Sequence, residues 1–377
     1  MTALLPDIDP DGLLEYSVVF TDRSLNHMSK AFQGVMRDIS STLKRVYNAD
    51  HVAIVPGGGT YAMEAVARQF AGGEQALVLR NGWFSYRWTQ ILDAGNIPAA
   101  HEVMKARRVG NAPDAALAPA PIEDVTRKIR ETRPAVVFAP HVETASGMIL
   151  PDDYIAAVGA ATREAGGLFV LDCIASGCVW VDMKALGVDV LISAPQKGWS
   201  ASPSAGMVMM SARARELAES RTSSSFACDL KAWAKIMEAY EAGGHAYHAT
   251  MPTDSLRAFH DVMKETEEYG FEKLKAAQLE LGRRARAAFA ARGVKSVAAE
   301  GFGAPGVVVC HTTDPEVKSG AKFAKVGMQI AAGVPLQVDE GAEYSSFRIG
   351  LFGLDKLYDV DGAIERLEAA LDEVFPR

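Results

Sequence analysis

The chain has 377 residues and a formal net charge of −8, since 39 lysine and arginine residues face 47 aspartate and glutamate residues. Nucleic acids and anionic membrane surfaces are poor expected partners, because binding to them needs a concentrated positive field. With 49% hydrophobic and 23% charged residues the composition is typical of a globular protein, and the length predicts two domains. No apolar run approaches the roughly 20 residues that cross a bilayer.

The cysteines and the two ends of the sequence indicate the cellular compartment of the protein. Four cysteines in so long a chain form no disulfide framework, and Cys173 and Cys178 lack the CxxC spacing of many metal sites, so we expect no metal. The opening MTALLPDIDPDGLLEY has acids and prolines where a signal peptide needs a basic and then an apolar stretch. The chain ends in FPR, not in a peroxisomal SKL. We therefore expect a cytoplasmic protein.

Short β-branched runs alternate with helical patterns along the first two thirds of the chain. The runs predict buried strands at residues 51–55, 75–80, 135–140, 168–172 and 189–194. Helical spacing predicts helices that include residues 61–70, 122–132 and 153–165. This alternation is typical of a doubly wound α/β domain with a mainly parallel sheet, in which ligands bind at the carboxyl ends of the strands.

The pattern changes after about Ser211. It predicts a helix near 212–219, one long charged helix over 256–292, strands at 306–311 and 346–352, and a closing helix at 361–374. We interpret this part as a smaller α/β domain. The predicted organisation is an N-terminal arm of residues 1–23, a large domain of residues 24–255 and a small C-terminal domain of residues 256–377.

Two charged residues come at the ends of apolar strands. Lys197 follows DVLISA, and Asp172 ends LFVLD. Taken alone, Lys197 is better interpreted as the start of a surface loop, and for Asp172 helix capping or a salt bridge is the alternative, since aspartates end many strands. A desolvated lysine can, however, form a Schiff base with a carbonyl compound, and a buried carboxylate can pair with a protonated pyridine nitrogen, as pyridoxal-phosphate enzymes require. Because one strand–crossover–strand unit separates the two residues, we expect both at the same sheet edge.

Two further features match this chemistry. Gly57, Gly58, Gly59 and Thr60 lie between a strand and a helix, where amides, a hydroxyl and the helix N-terminus can hold a phosphate, although tight turns also use glycine. The segment is neither a P-loop nor a GxGxxG motif. Arg348 lies within SFRIGLF, and its planar guanidinium matches a carboxylate. Structural arginines paired with an internal acid are common, but beside a Schiff-base lysine a substrate α-carboxylate is the better interpretation.

The chain resembles the class V, fold type I pyridoxal-phosphate aminotransferases in seven segments that occur in order: VPGGGTYAMEA, NGWFSYRW, HVETASG, LFVLDCIAS, SAPQKGW, AYHATMP and FRIGLFG. Within that family it is most similar to the alanine–glyoxylate and serine–pyruvate aminotransferases. The resemblance spans roughly residues 24 to 375. It implies a fold type I PLP-transferase, with a large cofactor-binding domain around a mainly parallel, seven-stranded-type sheet and a smaller C-terminal α/β domain.

The resemblance also implies a role for each residue that matches a motif. Lys197 would be catalytic and would hold pyridoxal 5'-phosphate (PLP) as a Schiff base, and Asp172 would pair with the pyridine nitrogen. Phe84, or Trp83 if the loop is shifted, would stack on the ring. Arg348 would bind the substrate carboxylate. The remaining implied cofactor contacts are Ile174 on the other ring face, Thr144 at the ring hydroxyl, Gly58, Gly59, Thr60 and Gln196 at the phosphate, and Tyr247 and Thr250 at the phosphate of the neighbouring subunit of a homodimer with shared active sites.

These roles imply ping-pong transfer of an amino group from a small amino acid, of the alanine, serine or aspartate type, to a small 2-oxo acid such as glyoxylate or pyruvate. Lys197 would serve as nucleophile, leaving group and general acid/base. The family also contains PLP-dependent lyases and cysteine desulfurases. Gln196, where those enzymes typically have histidine, and the placement of the cysteines favour transamination.

Two more functional interpretations stay open. A phosphoserine-type transaminase would need further cations, and Arg87 and His248 are candidates, although ordinary helix or loop polarity explains each of them more simply. A relative of the same fold that has lost catalysis is disfavoured by the joint presence of Lys197, Asp172 and Arg348.

The sequence departs from the family near its start. The usual glycine–proline segment that lines the substrate pocket is absent, and LLEYSVVFTDRSLNHMSKAF stands in its place. His27, Met28 and Ser29 match the family's short polar motif there. For His27, a helix-start role and a pocket role are about equally good interpretations, so the sequence defines the cofactor better than the substrate.

Overall fold

The computed structural model describes residue 16 and residues 24–376. Apart from Tyr16, the predicted arm of residues 1–23 lies outside the described residues. The helices are α1 (Lys30–Tyr47), α2 (Gly59–Phe70), α3 (Trp83–Ala94), α4 (Ile122–Thr132), α5 (Asp152–Ala165), α6 (Met183–Leu186), α7 (Ala212–Ser220), α8 (Leu230–Glu241), α9 (Thr253–Tyr269), α10 (Phe271–Ala290), α11 (Pro315–Lys318), α12 (Ala321–Lys325), α13 (Leu354–Leu357) and α14 (Val360–Val374). None of these described helices is long and apolar enough to cross a membrane.

The strands are β1 (His51–Pro56), β2 (Gln75–Arg80), β3 (Ala100–Lys105), β4 (Arg107–Arg108), β5 (Leu117–Ala118), β6 (Val136–Pro140), β7 (Val142–Glu143), β8 (Met148–Ile149), β9 (Leu168–Asp172), β10 (Val190–Ser193), β11 (Ala205–Met210), β12 (Val307–His311), β13 (Ala331–Ala332) and β14 (Ser346–Gly350). Seven of them form the central sheet, in the order β1-β11-β10-β9-β6-β2-β3.

Most neighbouring strands of the central sheet run parallel. β11 is antiparallel to β1 and β10, and the pairs from β10 to β3 are all parallel. β6 and β9 are buried over their whole length, as expected for strands in the middle of a parallel sheet. The predicted α/β fold with a mainly parallel, seven-stranded sheet is confirmed.

Two strands of this sheet were not predicted. β11 has the sequence AGMVMM, in which one valine is the only β-branched residue, so its residue types do not favour a strand. β3 has the sequence AHEVMK and is only partly buried at the sheet edge. In both cases the pairing with a neighbouring strand, and not the local sequence, determines the structure.

The C-terminal part forms a second, smaller layer. β12, β14 and β13 make an antiparallel sheet, and an apolar cluster that includes Leu281, Phe289, Phe347 and Leu371 lies beside it. The single helix predicted over 256–292 is wrong: α9 ends and α10 begins at Gly270, whose φ of 109° only glycine adopts readily.

α9 packs with the large sheet. Leu256, Phe259 and Met263 belong to the same apolar cluster as the central strands, although they follow the predicted domain boundary at residue 255. The second cluster includes Cys178, and its other buried members run from Leu274, in α10, to Val374, in α14.

Candidate active site

A cavity of about 370 Å³ lies between the strand ends of the central sheet and the small antiparallel sheet. It brings together nine of the residues that the sequence predicted: Gly59, Thr60, Phe84, Thr144, Asp172, Ile174, Gln196, Lys197 and Arg348. A larger groove of about 880 Å³ lies on the small domain, near α10, α12 and α14, and none of the predicted site residues lines it.

The turn that carries Lys197 is held in place by its neighbours. A Cβ on Gly198 would lie 2.1 Å from the carbonyl oxygen of Gly177, so only glycine fits there. The next side chain, Trp199, is fully buried and packs against Trp180 with ring centroids 4.8 Å apart. The close backbone approach and the buried indole together fix the backbone that presents the lysine.

The amine of Lys197 lies in a partly apolar environment. Its Nζ is 5.3 Å from the ring centroid of Phe352, which the sequence analysis did not identify. Burial lowers the pKa of Lys197, and the positive charge of Arg348 lowers it further. A lower pKa increases the fraction of neutral amine, which is the form that attacks a carbonyl carbon.

Asp172 ends β9 with its carboxylate buried and only 7% of the residue exposed. Its Oδ1 accepts a hydrogen bond from the backbone N–H of Ile174 at 2.9 Å, and among the described residues it forms no ion pair. Burial raises the pKa of Asp172 to about 7, and the charge of Glu143 adds to this effect. A buried carboxylate without a cation is costly, so the environment fits a ligand that brings positive charge, as a protonated pyridine nitrogen does.

The start of α2 presents an anion-binding surface to the cavity. Gly58 precedes the helix with a φ of 129°, which favours glycine, and no side chain caps the first turn. A Cβ on Gly59 would lie 2.5 Å from Cδ1 of Ile174, so glycine is what allows Ile174 to approach the cavity wall. Open amides at a helix N-terminus bind anions, and a phosphate fits this position.

Glu143 organises the adjacent start of α3 and was missed by the sequence analysis. Its fully buried carboxylate accepts hydrogen bonds from the backbone N–H groups of Phe84 (3.2 Å), Ser85 (2.8 Å) and Ala145 (2.9 Å), and from the Ser85 hydroxyl (2.7 Å). Burial raises the pKa of Glu143, while these hydrogen bonds lower it. The available signal was an acid soon after a predicted buried strand, the same signal that identified Asp172.

Phe84, and not Trp83, lines the cavity. Two guanidinium carbons lie near its ring: Cζ of Arg87 is 5.3 Å and Cζ of Arg348 is 5.8 Å from the ring centroid. Arg87, one of the two candidate cations for a substrate phosphate, also lines the cavity. Its Nη1 donates a hydrogen bond to Oγ1 of Thr60 at 3.0 Å.

Arg348 lies in the middle of β14, half-buried, opposite Val309 of β12. Its Nε donates to the carbonyl oxygen of Ala332 at 2.9 Å, and within residues 24–376 it makes no ion pair. Burial lowers the pKa of Arg348, but a guanidinium remains charged in proteins. Arg348 lines the cavity, and the other N–H groups of its planar fork suit a carboxylate.

Tyr247 and Thr250 lie outside this cavity. Their hydroxyl oxygens are 3.3 Å apart on an exposed segment, and Tyr247 is 58% exposed. The ring of His27 lies beside Tyr247, at 5.6 Å between centroids. His248 packs against Phe226 and does not line the cavity either. The exposure of Tyr247 and Thr250 fits a role in a neighbouring subunit, which stays a prediction.

None of the four cysteines of the chain, all within the described part, lines the cavity. Cys173, Cys178, Cys228 and Cys310 are buried and free, and burial raises the pKa of each thiol. Buried, protonated thiols are poor nucleophiles. This placement favours transamination over a desulfurase reaction.

Comparisons with known proteins agree with this chemistry. A family model described as aminotransferase class-V matches residues 13–300. The chain is 29% identical to a 2-aminoethylphosphonate–pyruvate transaminase of Paraburkholderia phymatum, over 92% of this chain and 89% of that protein. It is 26% identical to alanine–glyoxylate aminotransferase 1 of Saccharomyces cerevisiae, over 66% of each.

The fold is likewise similar to that of a solved aminotransferase. The crystal structure of an aspartate aminotransferase from Thermus thermophilus matches with a TM-score of 0.75 and 25% identity, over 93% of both chains. The order of the motifs, the architecture and the family match all lead to one conclusion. The chain belongs to the class-V aminotransferase family and is a PLP-dependent aminotransferase of fold type I.

Proposed function

We propose that the cavity binds PLP and that the enzyme moves an amino group from a small amino acid, of the alanine, serine or aspartate type, to a small 2-oxo acid of the glyoxylate or pyruvate type. The observation that carries this proposal is the convergence of Lys197, Asp172 and Arg348 on one cavity. They supply an amine with a lowered pKa, a buried carboxylate and a guanidinium. The names of the relatives support the acceptors, since they mention glyoxylate and pyruvate.

The cavity residues divide the binding of the cofactor among them. Lys197 holds PLP covalently, Asp172 pairs with its pyridine nitrogen, and Thr144 meets its ring hydroxyl. Phe84 and Ile174 pack on the two faces of the ring. The phosphate contacts are Gly58, Gly59, Thr60 and Gln196. In support, Gln196 lines the cavity, and the NH₂ group of its side chain can donate a hydrogen bond to a phosphate oxygen.

Bound PLP supplies a carbonyl carbon to which amines add and a ring that stabilises the charge left when a proton leaves the substrate α-carbon. Arg348 holds the substrate carboxylate and thereby orients the α-carbon. Lys197 then takes the α-proton on Nζ and delivers it as a general acid. Asp172 keeps the pyridine nitrogen protonated. Apolar walls such as Phe352 exclude water from the reacting atoms.

The size of the cavity limits the substrate. Its volume of about 370 Å³ is near the lower end of the roughly 300–1,000 Å³ of typical ligand pockets, and it holds cofactor and substrate together. Val307 and Phe352 of the C-terminal part add apolar side chains to its lining. Small amino acids and 2-oxo acids are therefore the best candidates.

The same proposal includes the assembly and the domains. The enzyme is a cytoplasmic homodimer in which Tyr247 and Thr250 reach the phosphate of the neighbouring active site. Residues 24–255 form the cofactor-binding domain and residues 256–377 the small domain. The exposure of Tyr247 in a single chain supports the shared site.

The function is tested by steady-state kinetics with a panel of amino donors and 2-oxo acid acceptors. Alanine, serine or aspartate with glyoxylate or pyruvate is expected to give parallel double-reciprocal lines, because the donor product leaves before the acceptor binds. Release of ammonia or sulfide that needs no 2-oxo acid would instead favour a lyase or desulfurase.

Arg348→Gln is expected to raise KM for the amino donor by about 10- to 100-fold, because a charge-assisted pair with the substrate carboxylate is lost. The spectrum of the bound cofactor should change little. Removing the positive charge should also raise the pKa of Lys197. Arg127→Gln, at an exposed position of α4, is the matched control. A normal KM combined with weak cofactor binding would contradict the role in substrate binding.

Gly59→Ala is expected to weaken PLP binding by about ten-fold, because the new Cβ overlaps Cδ1 of Ile174 and pushes that side chain into the cavity. Titration of the apoprotein with PLP measures the effect. Shortening the neighbour in the double variant Gly59→Ala/Ile174→Val should restore part of the affinity. An unchanged dissociation constant for Gly59→Ala would show that this contact does not shape the cofactor site.

A further inference from the structure

We infer that Arg87 is the positively charged member of the phosphate-binding site, a role that the motifs of the sequence did not assign. The inference rests on the proposed function, since it needs PLP in the cavity. Arg87 lines the cavity from α3, and its Nη1 donates a hydrogen bond to Oγ1 of Thr60 at 3.0 Å. Thr60 is the second residue of α2, so the guanidinium lies directly beside the open first turn of that helix.

The rest of this site lacks a full positive charge of its own. Gly58 and Gly59 each contribute one backbone N–H, Thr60 a hydroxyl and Gln196 a side-chain amide. A phosphate monoester carries about 1.5 to 2 negative charges near neutral pH, whereas a helix N-terminus provides only about half a positive charge. Lys197 and Arg348 are assigned to the carbonyl carbon and the substrate carboxylate. A guanidinium, with several N–H donors in one plane, matches the phosphate oxygens.

Contacts at the start of α3 hold the side chain of Arg87 in position. Cζ of Arg87 lies 5.3 Å from the ring centroid of Phe84, one turn earlier in α3, and the hydrogen bonds that Glu143 accepts fix the start of that helix. Within residues 24–376 Arg87 makes no ion pair. Its charge lowers the pKa of Asp172, but the two side chains do not meet within ion-pair distance. Stabilising Asp172 is therefore the main competing role for Arg87.

A comparison of two ligands distinguishes these roles, because pyridoxal has the same ring as PLP but no phosphate. The dissociation constants of both ligands are measured by absorbance on wild-type apoprotein, Arg87→Gln and the surface control Arg127→Gln. Arg87→Gln is expected to weaken PLP binding by about 10- to 100-fold and to leave pyridoxal binding nearly unchanged. Arg87→Lys should recover part of the PLP affinity, and inorganic phosphate should compete with PLP less well for Arg87→Gln than for wild type.

Three results would overturn the inference. An equal loss of affinity for PLP and pyridoxal would mean that Arg87 acts through Asp172 or through folding. Thermal unfolding of Arg87→Gln and ligand binding by Arg87→Lys distinguish these two explanations. Unchanged binding of both ligands, together with a KM raised only for donors with a second carboxylate such as aspartate, would assign Arg87 to the substrate. Wild-type apoprotein that binds neither ligand would overturn the proposed function itself, a result distinct from the other two.

Discussion

Lys197→Ala is expected to lower kcat for transamination by about 1,000-fold or more, since one residue supplies both the covalent attachment of PLP and the proton transfer at the substrate α-carbon. The purified variant should also lose the absorbance band of covalently held cofactor. Its fold should be intact, because Gly198 and Trp199, and not the lysine side chain, anchor the turn. Activity is measured by coupled assay of the 2-oxo acid product, and integrity by thermal unfolding.

A small amine added to Lys197→Ala provides a sharper control. Methylamine fits the space left by the lysine side chain and supplies a base, so it should restore part of the activity in proportion to its concentration. Lys197→Arg keeps the charge but cannot form the covalent bond at neutral pH, because its guanidinium stays protonated, and it should stay inactive. Full turnover and an unchanged spectrum in Lys197→Ala would show that another residue performs this chemistry.

Asp172→Asn is expected to lower kcat by about 100- to 1,000-fold, because the pyridine nitrogen loses the carboxylate that keeps it protonated. Cofactor affinity should fall as well. Asn has nearly the same shape as Asp and can still accept a hydrogen bond from the Ile174 N–H, so the end of β9 should remain intact. Steady-state kinetics and PLP titration test this expectation, and a kcat within about three-fold of wild type would contradict the assigned pairing.

Asp172→Asn is expected to lower activity but to raise the stability of the apoprotein. Burial raises the pKa of Asp172 to about 7 in the folded protein. Between about pH 4 and pH 7 the folded state therefore holds a proton that the unfolded state releases, so this group's contribution to stability falls as pH rises through that window. Asn does not titrate, and at about pH 8 the apo variant should be more stable than apo wild type by at most roughly 4 kcal/mol.

Urea unfolding of both apoproteins at about pH 5 and about pH 8 measures this difference. The stability gain of Asp172→Asn should be smaller at the lower pH, where Asp172 is protonated in the folded protein. A variant that is less stable than wild type at both values would show that the carboxylate has a stabilising partner in the apoprotein. A gain in stability with a loss of activity is what a residue kept for function should show.

The sequence predicted the parts of the site that depend on local pattern. Asp172 and Lys197 were found because each follows a continuous apolar strand, and adjacent parallel strands bring their carboxyl ends together. Gly59 was found because a glycine run between a strand and a helix can hold a phosphate, although tight turns also use glycine. To predict these three residues, only the order of strands and helices along the chain is needed. The structure brings all three to one cavity.

The features that were missed depend on contacts between distant segments. Arg87 was named only as a candidate cation for a substrate phosphate, and its place in the cavity beside Thr60 depends on how α3 lies against α2. Glu143 acts through backbone groups at the start of α3. Phe352 comes from the small domain to the lysine of the large one. The break between α9 and α10 was missed because one glycine is tolerated in many helices, and its φ is set by the packing around it.

Amino-group transfer by Lys197 in the cavity can be followed in a single half-reaction. PLP-loaded enzyme is mixed with one amino acid and no 2-oxo acid, and the cofactor spectrum, the 2-oxo acid and ammonia are followed together. We predict loss of the initial absorbance band and release of one 2-oxo acid per active site without ammonia, and recovery of the band when glyoxylate or pyruvate is added. Continuous product formation with ammonia or sulfide, or an unchanged spectrum with every amino acid, would show that the enzyme is not a transaminase.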